Sequence, residues 1–150
     1  MPYARELSVS WGDSDPFGLA YFPCMLAWFN DTEHELFREL GYPIDQMIAS
    51  DRTTFVMGEL GFRFTGPAAY GDRVTMWIEI EALRERTLLW NCYARRSDND
   101  APVMQGTATR VYAHIGAQGA LSSAVIPAQM RAALLRSSAA EKGTPNPTTC

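Results

Sequence analysis

The sequence predicts an α+β domain, an antiparallel β-sheet wrapped around one long central α-helix. Three observations predict it. Apolar residues recur at helical spacing from Pro23 to Leu40. Strand-like runs follow that segment instead of alternating with further helices. Short polar connections separate the last of these runs.

The elements follow in order. In Glu6 to Trp11, Leu7, Val9 and Trp11 face one way and Glu6, Ser8 and Ser10 the other, the pattern of a half-buried strand. Asp13 to Gly18 is turn chemistry. Pro23 suits the first helical position, where its missing N–H costs nothing. Leu26, Phe29, Glu33, Leu36, Phe37 and Leu40 then keep a helical period until Gly41 and Pro43 stop it. A helix carrying Trp28, Phe29, Phe37 and Leu40 needs a broad apolar surface to cover, and the sheet supplies one. Ile44 to Asp51 reads as a short helical turn or loop. Phe55 to Phe64 is a strand whose Gly58 and Gly61 mark a bulge or a close backbone approach. Turns at Gly66-Pro67 and Tyr70-Gly71-Asp72 lead to strands at Arg73 to Leu83, Thr87 to Arg96 and Val103 to His114. Arg84-Glu85-Arg86 and the Ser97 to Pro102 segment join these as hairpin-like connections. Ile126 to Arg136 forms a short final helix. The expected domain is thus residues 1–136, and the Ser/Ala/Thr/Pro-rich residues 137–150 read as a disordered tail.

At 150 residues, 47% of them hydrophobic, the chain is long enough to bury one full core. A net charge of −4 argues against nucleic acid as a partner. No apolar run approaches the roughly 18 residues of a membrane span. Met1 to Glu6 lacks the apolar core of a secretion signal, so a cytoplasmic location is expected. Cys24, Cys92 and Cys150 are odd in number and lack metal-ligand spacing, which reads as free thiols in a reducing compartment. Cys24 falls at a helix N-terminus, where thiols become nucleophilic, but neither His is near it in sequence and a packed thiol is the simpler reading.

Chemistry concentrates in Gly12-Asp13-Ser14-Asp15-Pro16-Phe17-Gly18-Leu19-Ala20-Tyr21-Phe22-Pro23. This stretch ends a strand, turns through Pro and Gly, and enters the helix. It places the Asp15 carboxylate a few residues ahead of helical N–H groups that have no partner and carry partial positive charge. Such a pair is a minimal site for attack on a carbonyl: the carboxylate attacks or activates water, and the amides hold the oxyanion. An acyl group, a thioester above all, is the substrate this implies. Asp13 reads as structural, bonding loop amides. Glu33 and Glu35 lie on the helix, and the plainer reading makes Glu33 a solvated or capping glutamate. His34 and His114 lie away from the turn. Arg84 and Arg86, two residues apart, project to one side if extended and suit a phosphate. Arg63, Arg95 and Arg96 read as surface charges, and Trp28, Phe29, Phe55, Phe62 and Phe64 as mainly core, some of it available to line an aryl pocket. No metal constellation, phosphate-cradling Gly loop, Ser nucleophile elbow or nucleic-acid motif is present.

The element order, the Gly12 to Pro23 motif and Trp28-Phe29 resemble the hotdog fold, and more narrowly the 4-hydroxybenzoyl-CoA thioesterase family, over roughly residues 5 to 130. The resemblance implies that Asp15 is the catalytic carboxylate and the Phe22 backbone N–H the oxyanion donor, with Glu33 the runner-up because other hotdog thioesterases carry their carboxylate on this helix. It places Tyr21 and Asn30 at the substrate, Asn30 where the 4-hydroxybenzoyl enzyme has an Asp meeting the phenolic hydroxyl. Arg84, Arg86 and Thr87 match the basic stretch that meets coenzyme A phosphates, with Glu85 as a departure. Phe22 stands where many acyl-CoA thioesterases have His, which implies the aryl-CoA-like branch. The implied substrate is an aryl-CoA or a short to medium acyl-CoA, with no cofactor beyond the substrate's own coenzyme A. The implied assembly is a homodimer or homotetramer with its site at the dimer interface. Two alternatives stand beside it. One is a hotdog hydratase or dehydratase on acyl-CoA or acyl-carrier protein, which normally carries a His beside its acid. The other is a non-catalytic acyl-CoA-binding module.

Overall fold

A computed structural model describes residues 2–140. Six strands form one antiparallel sheet: β1 (Tyr3–Ser8), β2 (Thr53–Phe64), β3 (Arg73–Leu83), β4 (Thr87–Arg96), β5 (Pro102–Ile115) and β6 (Leu121–Ser123). Their order is β1-β3-β4-β5-β2, with the short β6 running beside the end of β5. Helix α1 (Phe22–Glu39) lies against one face. A one-turn α2 (Ile44–Gln46) and a π-turn (Met47–Asp51) link it to β2, and α3 (Ala128–Ala140) closes the described chain.

The core is the space between α1 and the sheet. Met25, Trp28, Phe29, Leu36 and Phe37 come from the helix. Val74, Met76 and Ile78 of β3 and Leu88, Trp90, Cys92 and Ala94 of β4 meet them. Strict alternation along β4 puts every second residue on this face. The Phe37 ring lies 5.2 Å from that of Phe55, tilted against it, and 6.5 Å from that of Trp90, edge to face. Burial pushes the Cys92 thiol well above its usual range, so it packs as a small apolar group.

Several boundaries move for physical reasons. The first strand runs Tyr3–Ser8, not Glu6 to Trp11. Its early inward positions are polar: Tyr3 donates to Glu39 of α1 at 3.1 Å, and Arg5 pairs with Glu35 at 3.5 Å. That hides the alternation in sequence. Trp11 does not face the core. A 3-10 turn at Trp11–Asp13 breaks the period, and Trp11, 68% exposed, packs edge-on against Tyr70. At Gly58 the β2–β5 register shifts, the expected bulge. The close approach falls on Gly106 instead, where a Cβ would strike the Gly61 carbonyl and Phe62. The final helix is Ala128–Ala140, so residues 137–140 continue it; the rest of the expected tail, 141–150, lies outside the described residues. No helix among the described residues is long and apolar enough to cross a membrane.

Candidate active site

The Gly12 to Pro23 motif folds as a small hairpin entering α1. Ser14 bridges Ala20, and the Asp15 N–H donates to the Leu19 carbonyl at 2.8 Å. Pro16 supplies the fixed φ at the first corner, and Gly18 takes φ +76°, a left-handed value that disfavours a side chain. The second arm is pinned to the turn before β3, Ala20 N–H to Ala68 carbonyl at 2.7 Å and Tyr70 N–H to Gly18 carbonyl at 2.9 Å.

Asp15 is half anchored. Its Oδ1 accepts the N–H groups of Phe17 at 2.9 Å and Leu19 at 3.1 Å, the self-bonding turn expected of Asx residues. Its Oδ2 takes no hydrogen bond among the described residues. Asp13 acts differently from expectation: its backbone carbonyl accepts the Tyr21 N–H at 2.7 Å, while its side chain takes no hydrogen bond from a loop amide among the described residues.

The start of α1 leaves one donor open. Pro23 has no N–H, and the Cys24 and Met25 N–H groups both turn to the Tyr21 carbonyl, at 2.9 and 3.3 Å. Among the described residues the Phe22 N–H alone of this turn has no backbone acceptor, and it carries the positive end of the helix dipole. Asp15 lies opposite Leu19, three residues before Phe22, so no more than about 10 Å of chain separates them. Tyr21 and Phe22 are exposed beside that gap, and Phe22 meets Phe64 of β2 at 6.1 Å.

Glu33 is neither solvated nor a cap. It is 1% exposed, and both its oxygens are spent. Oε1 pairs with Arg110 Nη2 at 2.7 Å. Oε2 accepts Trp90 Nε1 at 2.6 Å and Arg110 Nε at 3.1 Å. Arg110, itself 7% exposed, also donates to Asn30 Oδ1 at 2.8 Å and lies over the Phe29 ring. Arg110 was not among the expected site residues. Its signal was present in part, since it shares the inward face of β5 with Ala108 and Tyr112, where a lone cation calls for an acid.

The basic turn is placed elsewhere. Arg84 and Arg86 are not extended: the Arg84 N–H donates to the Thr87 carbonyl at 2.9 Å, closing the β3–β4 hairpin. Arg86 Nη1 is held by the Ser123 carbonyl at 3.1 Å, whereas the Arg84 side chain is exposed with no partner among the described residues. Arg131 of α3 braces the turn through the Leu83 and Arg84 carbonyls. The Asp15 hairpin borders the start of β3 and Arg84 its end, so the length of the strand, about 35 Å, separates them within one chain. Arg95 pairs with Asp100, and Arg96 with Asp72 and Asp98, as surface charges do. A groove of about 1060 Å³ crosses the outer face of the sheet past the stacked Trp77 and Tyr93. It touches none of the candidate catalytic or phosphate-binding residues.

Replacing Glu33 by Gln should destabilise the fold by about 3 to 5 kcal/mol, because a buried Arg110 charge loses its partner. Chemical denaturation followed by Trp fluorescence reads this out. A Glu33→Gln protein of native stability that has lost activity would instead make Glu33 the catalytic group.

No protein-family model and no curated protein matches the chain. Solved structures do. A 1,4-dihydroxy-2-naphthoyl-CoA thioesterase from Synechocystis superposes with a TM-score of 0.81 at 15% identity, covering 90% of this chain and 96% of that one. A 4-hydroxybenzoyl-CoA thioesterase from Pseudomonas sp. strain CBS-3 gives 0.79 at 20% identity, covering 88% and 98%. A gentisyl-coenzyme A thioesterase gives 0.76 at 22% identity, covering 87% and 98%. The sheet wrapped on α1 is therefore the hotdog fold of these thioesterases.

Proposed function

We propose that this protein is an acyl-CoA thioesterase that hydrolyses an aryl-CoA or a short to medium acyl-CoA to the free acid and coenzyme A. One observation carries this: a carboxylate with one oxygen fixed by two amides and the other open, beside the one unused N–H of a helix N-terminus. The thioesterase activities named for the structural neighbours support it.

The thioester carbonyl oxygen accepts the Phe22 N–H, and the dipole of α1 stabilises the charge that grows on it. The open Asp15 oxygen then acts in one of two ways. It attacks the carbonyl carbon and expels the thiolate, leaving a mixed anhydride for water to cleave, or it takes a proton from water that attacks directly. Tyr21 and Asn30 border the acyl group, and the reaction calls on no cofactor beyond the coenzyme A of the substrate. Glu33 has no open oxygen for either role.

An open sheet edge and one distance support a homo-oligomer. β2 ends the sheet with twelve residues, and Met57, Leu60 and Phe64 on it are exposed. A long apolar edge of this kind is normally covered, and a second copy covers it in a homodimer, with a homotetramer as its doubling. Arg84 lies too far from Asp15 to hold the same substrate within one chain. The partner subunit's Arg84 therefore takes the phosphates, with Arg86 and Thr87 shaping that turn. Cytoplasmic location fits Cys24 and Cys92, neither of them in a disulfide among the described residues.

Asp15→Asn is a clean test, since the amide oxygen keeps both hydrogen bonds to Phe17 and Leu19 while the nucleophile or base is lost. Thiol release across benzoyl, 4-hydroxybenzoyl, phenylacetyl, hexanoyl and palmitoyl-CoA should fall roughly a hundredfold or more on the best substrate, at unchanged thermal midpoint. Undiminished turnover would reject Asp15, and binding without turnover in the wild type would favour a binding module. Arg84→Ala should raise KM for acyl-CoA several-fold yet leave KM for the matching acyl-pantetheine unchanged, with Arg86→Ala the milder of the two. Equal effects on both substrates would place the phosphates elsewhere.

A further inference from the structure

We infer that the groove across the outer face of the sheet binds a flat aromatic carboxylate, its ring against Trp77 and Tyr93 and its charge on Arg63. The site lies on the side of the sheet turned away from α1, and it stands whether or not the protein hydrolyses thioesters.

One cross-strand row builds the groove. Trp77 of β3 pairs with Tyr93 of β4, Tyr93 with Gln105 of β5, and Gln105 with Arg63 of β2. Ile78, Ala94 and Met104 beside them are buried, so the row itself faces outward. The Trp77 and Tyr93 rings are half-buried and stacked, 5.3 Å between centroids and 17° between planes. They give the groove an apolar wall of the kind on which another ring packs. Its volume, about 1060 Å³, is at the upper end of small-molecule sites.

The charges select an anion. Arg95 lies over the Tyr93 ring and is spent on Asp100 at 3.0 Å. Glu79 is engaged by Asn91 at 2.9 Å, on the β3 side of the groove. Arg63, on the β2 side, is exposed and takes part in no hydrogen bond or ion pair among the described residues. Its guanidinium fork matches a carboxylate. Strand spacing puts β2 about 10 Å from β4, a span that one or two fused rings and a carboxylate fill.

Gly61 supports the same reading. It pairs with Thr107, and Thr107 with Asn91, in the next row of the groove. A glycine inside a strand weakens it, and nothing in the fold asks for one here. Its φ is not left-handed, and an added Cβ would meet no atom within 4 Å. That Cβ would stand in the groove, so the missing side chain keeps the groove open. A second copy docking by this face would set hollow against hollow across its two-fold axis, which favours a small ligand.

Calorimetric titration with 2-naphthoate and with 2-naphthalenemethanol, which has the same rings and no charge, tests the site. The wild type should prefer the carboxylate about threefold to tenfold, the worth of an exposed ion pair. Arg63→Gln should bring that preference near one and leave the affinity for the alcohol unchanged. Gly61→Ile should weaken both probes about tenfold or more, while its thermal midpoint stays or rises because a β-branched side chain suits a strand. No binding by the wild type, or equal affinity in wild type and Gly61→Ile, would overturn the site. Equal affinity of the wild type for the two probes would overturn the carboxylate. Light scattering decides the remaining occupant: if Gly61→Ile changes the number of chains in the assembly, a second copy fills the groove and the inference fails. Thioester hydrolysis, measured separately, bears on none of these results.

Discussion

The buried contact of Glu33 with Arg110 and Trp90 fixes where the rest of the structure can be. Apolar packing alone lets a helix slide or roll over a sheet with small changes in energy, because dispersion has little direction. An ion pair with both carboxylate oxygens engaged by two strands has one geometry. Burying two charges is costly and adds little net stability, so the value of this pair lies in position. Eleven residues upstream, about 16 Å along the axis, the same helix presents the Phe22 N–H. Its axial placement is set at Glu33.

The end proposed to react is held by a different device. The Asp15 hairpin owes its shape to backbone bonds, to Pro16 and to the left-handed Gly18, with little core beneath it. Two amides grip one oxygen of Asp15 and leave the other aimed by covalent geometry. The helix start is arranged in a complementary way: Pro23 removes one donor and the Tyr21 carbonyl occupies two, so the field of α1 converges on a single N–H. Rigid charges aimed at the developing oxyanion stabilise a transition state without reorganisation. Tyr21, Phe22 and Phe64 stand exposed around this point, with Phe22 between the other two rings.

Much of this was legible in the chain. Helix α1, the three-strand run and the Asp15 turn rest on local rules of period, proline and glycine, and local rules read well from sequence. Trp11 and β1 misled because inward Tyr3 and Arg5 are satisfied by Glu39 and Glu35 of the helix, partners at least thirty residues away. Glu33 stood in the apolar period of α1 from the start, between Phe29 and Phe37. Reading it as solvated ignored that position, and its partner is 77 residues further on. The distance of Arg84 from Asp15 was likewise invisible until the length and direction of β3 were known. Interactions closed by the fold, and not by the neighbouring turn, are the ones that sequence left open.

The central claim is that the Asp15 oxygen and the Phe22 N–H share one thioester. A crystal structure of Asp15→Asn with the best acyl-CoA of the thiol-release panel bound tests it most directly. The carbonyl oxygen should lie within about 3.2 Å of the Phe22 nitrogen, with the substituted side chain at position 15 against the carbonyl carbon. A thioester whose carbonyl turns away from the α1 N-terminus, toward an opened Glu33, would contradict it.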